Sequence, residues 1–170
     1  MKAYTNYYSS PLGKIILASD GKNLTKLDFV PNGEPISEVC DRLSVFDDTI
    51  RWLDCYFSGE VPDFTPPLKL YGTPFQCEVW EILRTIGRTS LMTYGEIAAV
   101  IAARRGTKMS AQAVGGAVGC NPVSIIVPCH RVIGQNGRLT GFSSGLDKKR
   151  ALLKIEGFEL TSDGSRVILR

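Results

Sequence analysis

The sequence predicts an α/β (α+β) amino-terminal domain with a small antiparallel sheet and a helix, followed by a mainly α carboxy-terminal domain with a winged-helix-like helix-turn-helix. The first domain is indicated by short β-prone segments separated by turn residues within the first 30 positions. The second is indicated by successive segments with helix-start signals and apolar residues at helical spacing. Four prolines within residues 61–74 separate the two patterns. We therefore place the domains at 1–71 and 72–170.

Turn residues and one amphipathic helix define the amino-terminal prediction. The turn sequences at residues 10–13 (SPLG) and 20–23 (DGKN) favour an antiparallel meander of three strands. These strands are expected at Ala3–Tyr8, Ile15–Ala18 and Leu24–Val30. Apolar side chains then recur at helical spacing over residues 46–57, and Gly59 suits the position after a helix end. Residues 68–71 form a candidate strand.

Three helices are predicted at the start of the carboxy-terminal domain. The apolar residues of 75–86 share one helical face. Thr93 and Glu96 have the spacing of a capping box, and Ser110 can cap a third, short helix. The basic turn over residues 104–108 joins the last two helices, which is typical of a helix-turn-helix.

The third helix, over residues 111–118, consists mostly of small residues. Three of its eight residues are alanine and two are glycine, although each glycine costs a helix about 1 kcal/mol relative to alanine. Such a helix allows close approach, either of a neighbouring helix or of a nucleic-acid groove. We favour the groove because this part of the chain is basic.

Charge is distributed unevenly along the chain. The formal net charge is +3, but residues 1–80 hold 7 Lys/Arg against 11 Asp/Glu, whereas residues 81–170 hold 13 against 6. A basic half of this kind is typical of proteins that bind a polyanion such as nucleic acid. The alternative is that these charged residues only form an ordinary solvated surface.

The last 50 residues are predicted to contain an extended segment, a hairpin, a helix and a terminal strand. The residue before Pro128 is held out of the helical region, and Asn136-Gly137 is a strong hairpin-turn signal. The four elements are expected at residues 123–127, at 132–139, at 146–156 with Gly157 as terminator, and within 158–170.

Cysteine and histidine usage disfavours both a disulfide framework and a metal site. The chain has five cysteines and one histidine, His130, and the cysteines show no C-x-x-C spacing. They are Cys40, Cys55, Cys77, Cys120 and Cys129. We expect reduced thiols, no metal and no cofactor. Four thiols should be small buried hydrophobes, whereas Cys129 differs because the histidine follows it directly.

No segment predicts a membrane span or a secretory signal. No apolar run approaches the roughly 20 residues that cross a bilayer, and residues 15–18 are too short for a signal h-region. We expect a cytoplasmic protein, or a nuclear one in a eukaryote.

Cys129, His130 and Glu156 are the candidates for chemistry. A thiol is nucleophilic as the thiolate, so it needs a base or cation nearby, and His130 is the only histidine. Adjacent side chains on a strand point to opposite faces, so the pair could meet only through a turn, a helical start or a bridging water. Glu156 faces the negative end of its helix dipole, which an imidazole partner would offset. A solvated helix-end carboxylate is the alternative.

Residues 121–134 (NPVSIIVPCHRVIG) closely resemble the active-site signature of the O6-alkylguanine-DNA alkyltransferases, the methylated-DNA–protein-cysteine methyltransferase family. The resemblance is strong over about residues 72–157 and looser before them. The other matching segments are 72–76 (GTPFQ), 93–98 (TYGEIA), 113–117 (AVGGA), 140–146 (TGFSSGL) and 156–157 (EG).

The resemblance implies a DNA repair enzyme that is consumed by its own reaction. Such a protein flips O6-alkylguanine, or O4-alkylthymine, out of duplex DNA and transfers the alkyl group irreversibly to Cys129, once per molecule. Its partner would be double-stranded DNA, bound through the minor groove by a monomer.

Site residues are implied in the same way. His130 would accept the thiol proton through a water, Glu156 would orient the imidazole, and Asn121 would brace the turn that presents Cys129. Tyr94 would donate its proton to the departing base, and the base edge would be held by the backbone around Cys129, Val132 and Ser143. The implied DNA-binding residues are Ser110, Gln112, Ala113, Val114, Gly115 and Arg131. Gln112 departs from the family pattern, which has an arginine that enters the vacated stack.

Two other classes remain open. An inert binder of damaged DNA would keep the DNA surface but lack the thiol. A cysteine hydrolase would turn over and would need an oxyanion hole.

Overall fold

The computed structural model describes residues 4–35 and 41–169, and contacts between residues divide the chain into two units. The first comprises the described part of Met1–Tyr71 together with Pro122–Ser124. The second comprises Gly72–Asn121 and the described part of Ile125–Arg170. Cys129, His130 and Glu156 therefore all belong to the second unit.

A three-stranded antiparallel sheet in the order β1-β2-β3 forms the first unit's framework. Its strands are β1 (Tyr4–Ser10), β2 (Gly13–Ser19) and β3 (Leu24–Phe29). Alternate residues of the central strand, Ile15 and Leu17, are fully buried, as the period of two in a sheet with one covered face requires. The predicted meander is confirmed.

The helix α1 (Ser44–Phe57) contacts all three strands with its apolar face. Its buried side chains are Val45, Phe46, Thr49, Trp52, Leu53 and Tyr56. Gly59 follows with φ +91°, a left-handed conformation that favours glycine. The candidate strand at residues 68–71 reduces to a single bridge between Leu24 and Leu68.

Three packed helices build the helix-turn-helix part of the second unit. They are α2 (Pro74–Arg84), α3 (Tyr94–Arg105) and α4 (Ala111–Gly119). The predicted caps are present, since Thr93 and Glu96 form a complete capping box and Ser110 accepts a hydrogen bond from the amide of Ala113. The buried indole of Trp80 donates to the carbonyl of Ala117 over 2.9 Å. The small residues of α4 therefore do allow close packing between helices.

The segment before Cys129 differs from its prediction. Only Val123 is extended enough to form a bridge, to Leu27, and residues 124–126 form a turn. Ile125 has φ 71°, an uncommon conformation for a β-branched residue. The extended prediction for residues 123–127 is wrong because tertiary bonds outweigh local β propensity. One such bond joins the amide of Ser124 to the carbonyl of Leu27 over 2.7 Å.

The predicted hairpin has the expected turn but other strand partners. Asn136 and Gly137 both have positive φ, 55° and 76°, as the two-residue hairpin turns that favour Asn-Gly require. However, β5 (Val132–Ile133) pairs in parallel with β4 (Met92–Thr93). Both residues of β5 are buried, which suits a strand covered on both faces and not one side of an exposed hairpin.

The helix α5 (Leu146–Ile155) is followed by a short turn at residues 156–157. Its C-cap is Glu156, and Gly157 follows with φ +89°. The predicted terminal strand is limited to single bridges, Leu160 to Val167 and Arg138 to Arg166. A small apolar cluster of Ile133, Leu139, Leu153 and Val167 joins this end to β5 and α5.

Candidate active site

Cys129 and His130 lie on a single turn of 3₁₀ helix, Cys129–Arg131. The turn is held by backbone hydrogen bonds from the amide of Cys129 to the carbonyl of Val127, 2.8 Å, and from Arg131 to Pro128, 3.0 Å. Consecutive side chains on such a turn are not on opposite faces, as they would be on a strand. A helical turn of this kind is one of the local structures that allow Cys129 and His130 to act together.

His130 and Glu156 form a fully buried pair. The distance from His130 Nε2 to Glu156 Oε1 is 2.8 Å, and both side chains have 0% exposure. Nε2–H donating to this carboxylate leaves Nδ1 as an acceptor, and no described residue is a hydrogen-bond partner of Nδ1. Burial lowers the pKa of His130 despite the opposing effect of Glu156. The neutral imidazole is therefore a base with its acceptor nitrogen available.

Glu156 is ionised in this site although burial acts to raise its pKa. Hydrogen bonds and the charges of His130 and Arg131 outweigh burial and lower the pKa of Glu156 to about 2. The helix-end cost of the carboxylate is thus offset by two partners, of which the sequence analysis predicts one.

Asn121 closes the loop that leads to the thiol. Its Nδ2 donates to the carbonyl of Val127 over 2.8 Å, and the residue is buried. This bond spans residues 122–126, which include the turn at 124–126, and fixes the residue two positions before Cys129.

Tyr94 and Cys129 border a small cavity of about 90 Å³. The other lining residues are Gly115, Val118, Gly119, Gly141, Phe142 and Ser143. The hydroxyl of Tyr94, at the start of α3, donates to the carbonyl of Thr140 over 3.1 Å. Burial raises the pKa of Tyr94, so the phenol is protonated at neutral pH. Ser143 thus lines the cavity, and Val132 lies three residues beyond Cys129.

Comparison with known proteins decides the family. Residues 74–158 match the family described as "6-O-methylguanine DNA methyltransferase, DNA binding domain", and residues 3–70 match its "ribonuclease-like domain". The chain belongs to the 6-O-methylguanine DNA methyltransferase family. The segment that matches the family's DNA-binding domain contains Cys129, His130 and Glu156.

Similar proteins extend over nearly the whole chain. The methylated-DNA–protein-cysteine methyltransferase of Haemophilus influenzae is 43% identical over 168 residues, covering 95% of this chain and 90% of that one. The crystal structure of the Mycobacterium tuberculosis O6-methylguanine methyltransferase has a TM-score of 0.77 at 40% identity, covering 91% and 93%. A crystal structure of the same organism's protein in complex with DNA has a TM-score of 0.76 at 41% identity, covering 89% and 91%.

Lys149 is a site residue that the sequence analysis of this methyltransferase does not find. Its side chain is fully buried, and Nζ donates to the carbonyls of Val132 (2.6 Å), Thr140 (2.8 Å) and Gly141 (3.3 Å). Burial lowers the pKa of Lys149 to about 8. Its position three residues after Leu146 and three before Leu152 is the signal that could have placed it on the apolar helix face.

Arg131, which the family resemblance implies as a DNA-binding residue, is largely buried. Its side chain is 12% exposed. It bonds the carboxylate of Glu156 and donates through Nη1 to the carbonyl of Ile86 over 2.6 Å. Because the guanidinium is engaged by Glu156 and Ile86, a DNA phosphate has little access to it.

The remaining predicted DNA contacts divide into exposed and buried groups. Ser110, Gln112 and Ala113 are exposed at the start of α4. Val114 is fully buried in the helix packing, so its side chain cannot contact DNA. Gly115 is half-buried, and a Cβ there would meet the ring of Tyr94 at 3.8 Å.

The other cysteines are less buried than expected. Cys55 and Cys77 are half-buried and Cys120 is exposed, which makes the prediction of burial wrong for these three. Cys40 lies outside the described residues. Within the described ranges, no group of three or more His, Cys, Asp or Glu side chains could hold a metal ion. No helix of the described chain is long and apolar enough to cross a bilayer.

Proposed function

We propose that this protein repairs DNA by transferring the alkyl group from O6 of guanine to the sulfur of Cys129, once per molecule. As a member of its family, the chain is a methylated-DNA–protein-cysteine methyltransferase, and DNA is its partner. The observation that carries the proposal is the buried unit of Cys129, His130 and Glu156 beside a cavity that Tyr94 borders.

The proposed proton steps use each of these groups in turn. The Cys129 thiol loses its proton through a water to Nδ1 of His130, and Glu156 stabilises the resulting imidazolium. The thiolate attacks the alkyl carbon, so that an S–C bond forms and the C–O6 bond breaks. Tyr94 donates its hydroxyl proton to the departing guanine and is reprotonated from the relay. The Cys129 thiolate is a poor leaving group from the thioether product, so water does not displace it and the reaction is irreversible.

Burial of the nucleophile supports the proposal that the base is extrahelical when it reacts. Cys129 is 4% exposed, so its sulfur cannot reach an atom that remains stacked inside a duplex. The alkylated nucleotide must therefore rotate out of the helix into the cavity, at a cost of a few kcal/mol. The proposal extends to O4-alkylthymine, because its alkylated oxygen presents the same chemistry to the thiolate.

The exposed start of α4 is the proposed DNA contact. Its small side chains at Ala111 and Ala113 allow a close approach to the minor groove. Gln112 lies between them and is the side chain available to occupy the space of the flipped nucleotide. One copy of the chain contains all of these groups, and we propose that it acts as a monomer.

Intact-mass measurement after incubation with duplex DNA containing O6-methylguanine tests the proposal. We expect one methyl group per protein, mapped to Cys129, and none in Cys129→Ser. The matched control is Cys120→Ser, which removes an exposed thiol and should leave transfer unchanged.

Three results would contradict this function. A methyl group on Cys120 with Cys129 unmodified would show that Cys120 is the nucleophile. Binding of damaged DNA without any adduct would indicate an inert lesion binder. Several products per protein molecule, with only a transient adduct, would indicate a hydrolase.

A further inference from the structure

Glu156 occupies a position that is unfavourable for an ionised carboxylate. It is the C-cap of α5, at the negative end of the helix dipole, and its side chain has 0% exposure. Burying such a charge costs free energy unless it is paired and hydrogen-bonded. His130 contacts only one of the two carboxylate oxygens, Oε1.

Arg131 contacts both oxygens through a two-pronged interaction. Nε donates to Oε2 over 3.0 Å and Nη2 donates to Oε1 over 2.8 Å. Oε1 is the same oxygen that lies 2.8 Å from Nε2 of His130. This fork fixes the plane of the carboxylate as well as its charge.

The third guanidinium nitrogen anchors the arginine itself. Nη1 donates over 2.6 Å to the carbonyl of Ile86, just beyond the end of α2. Nε, Nη1 and Nη2 are therefore all engaged, so the orientation of the guanidinium is set by the fold and not by solvent.

We propose that Arg131 is a positioning residue of the proton relay, which holds Glu156 ionised and oriented so that His130 presents Nδ1 toward the thiol. The inference rests on the proposed function, because it assumes that His130 is the base. It assigns to Arg131 a role in chemistry in place of a contact with DNA.

The charge of Arg131 also acts on the imidazole. The titratable and charged groups around His130 are Cys129 and Arg131 on its own turn and Lys149 and Glu156 on α5 and its cap. Arg88 adds a donor at the end of α5, to the carbonyl of Ile155 over 3.1 Å. Without Arg131, the carboxylate of Glu156 loses a cationic partner, and either Glu156 or His130 takes up a proton at a higher pH. A relay that already holds this proton cannot accept the one from the thiol.

Arg131→Gln tests the proposal with the free alkylated base, which needs no DNA contact. We expect the single-turnover rate at neutral pH to fall at least 10-fold with both the free O6-alkylguanine base and duplex DNA. The acid limb of the pH–rate profile should move to higher pH. Duplex affinity should stay within about 2-fold of the parent.

The matched control is Arg150→Gln. Arg150 also pairs with a carboxylate, that of Asp147, and donates to a backbone carbonyl, that of Gly164. This ion pair is exposed to solvent, and Arg150 does not contact the relay. This variant should keep the parental rate and pH profile.

Nuclear magnetic resonance gives a readout that does not depend on alkyl transfer. His130 is the only histidine, so its imidazole signals need no assignment. In the parent we expect the Nε2–H tautomer at neutral pH. In Arg131→Gln the titration midpoint should rise by about one unit or more. Arg131→Lys, which keeps the charge but not the fork, should fold and lie between the two in rate.

Specific outcomes overturn the proposal. A defect confined to duplex DNA, with weaker DNA binding, would make Arg131 a DNA contact. An unchanged His130 titration in Arg131→Gln would remove the relay role. If Arg131→Gln does not fold, Arg131→Lys becomes the test. A parental transfer rate and a parental His130 titration in that variant would show that the two-pronged bond to Glu156 does not position the relay. Absence of transfer by the parent protein would instead contradict the proposed function, while the His130 titration would still test Arg131.

Discussion

The ionised state of Glu156 should be measurable as pH-dependent stability. Its pKa is lowered from 4.5 to about 2 in the folded protein, and each unit corresponds to about 1.4 kcal/mol. The folded state therefore gains about 3 kcal/mol at neutral pH from this group. Because the folded pKa is below the unfolded one, this stability is complete well above pH 4.5 and is lost as the pH falls toward 2.

Glu156→Gln removes that contribution. Urea unfolding at pH 7 should show a loss of about 3 kcal/mol relative to the parent. At pH 4 the loss should be smaller by about 1 kcal/mol, since the parent has by then lost part of the same stability. The matched control is Glu78→Gln, which breaks a more exposed ion pair with Arg105 and should cost at most about 1 kcal/mol.

The same variant, Glu156→Gln, should lose transfer activity while its affinity for DNA is kept. The amide that Glu156→Gln introduces can still accept a hydrogen bond from His130, but it does not stabilise an imidazolium, so we expect transfer to slow about 100-fold or more. Duplex affinity, measured by fluorescence anisotropy, should be unchanged. A stability difference that is the same at pH 4 and pH 7, together with a parental transfer rate, would refute the reasoning that Glu156 is an ionised relay member.

Two further predictions concern Gln112 on α4 and Lys149 on α5. Gln112→Ala should weaken duplex binding and should slow repair of duplex DNA more than reaction with the free base. Gln112→Arg should bind duplex DNA more tightly and steepen the salt dependence of binding by up to about one counterion. Parental rates and affinities in both variants would show that Gln112 is only a surface residue. Lys149→Met should slow transfer at least 10-fold by releasing the carbonyls of Val132 and Thr140. Because the pKa of Lys149 is lowered from 10.5 to about 8 in the folded protein, the parent should become more stable between pH 8 and pH 10.5. Lys149→Met should abolish this rise in stability. Urea unfolding of both proteins at the two pH values measures it.

Local sequence signals predict the helices well because their causes are local. The capping box of Thr93 and Glu96 and the cap at Ser110 depend on residues three positions apart, and both occur as expected. The candidate trio is indicated by the adjacency of Cys129 and His130 and by the helix-end position of Glu156, and the family resemblance gives each residue its role. The helix caps and the Cys129–His130 adjacency need no knowledge of distant partners.

The errors share a dependence on distant partners. Arg131 is expected to contact DNA, yet its side chain bonds Glu156, which is 25 residues away along the chain. No role is predicted for Lys149, yet its Nζ contacts a carbonyl 17 residues away along the chain. A buried arginine or lysine looks like any other basic residue until the carboxylate or carbonyls that surround it are known.

The reactive turn itself is defined by these distant contacts. Asn121 binds the carbonyl of Val127 before Cys129, Lys149 binds the carbonyl of Val132 after it, and Arg131 binds the carboxylate that holds His130. Each anchor acts within three residues of the nucleophile along the chain, or on the relay's carboxylate. Since a displacement of about 1 Å can cost about 100-fold in rate, a positively charged or amide donor that never meets the alkyl group can still decide how fast it is transferred.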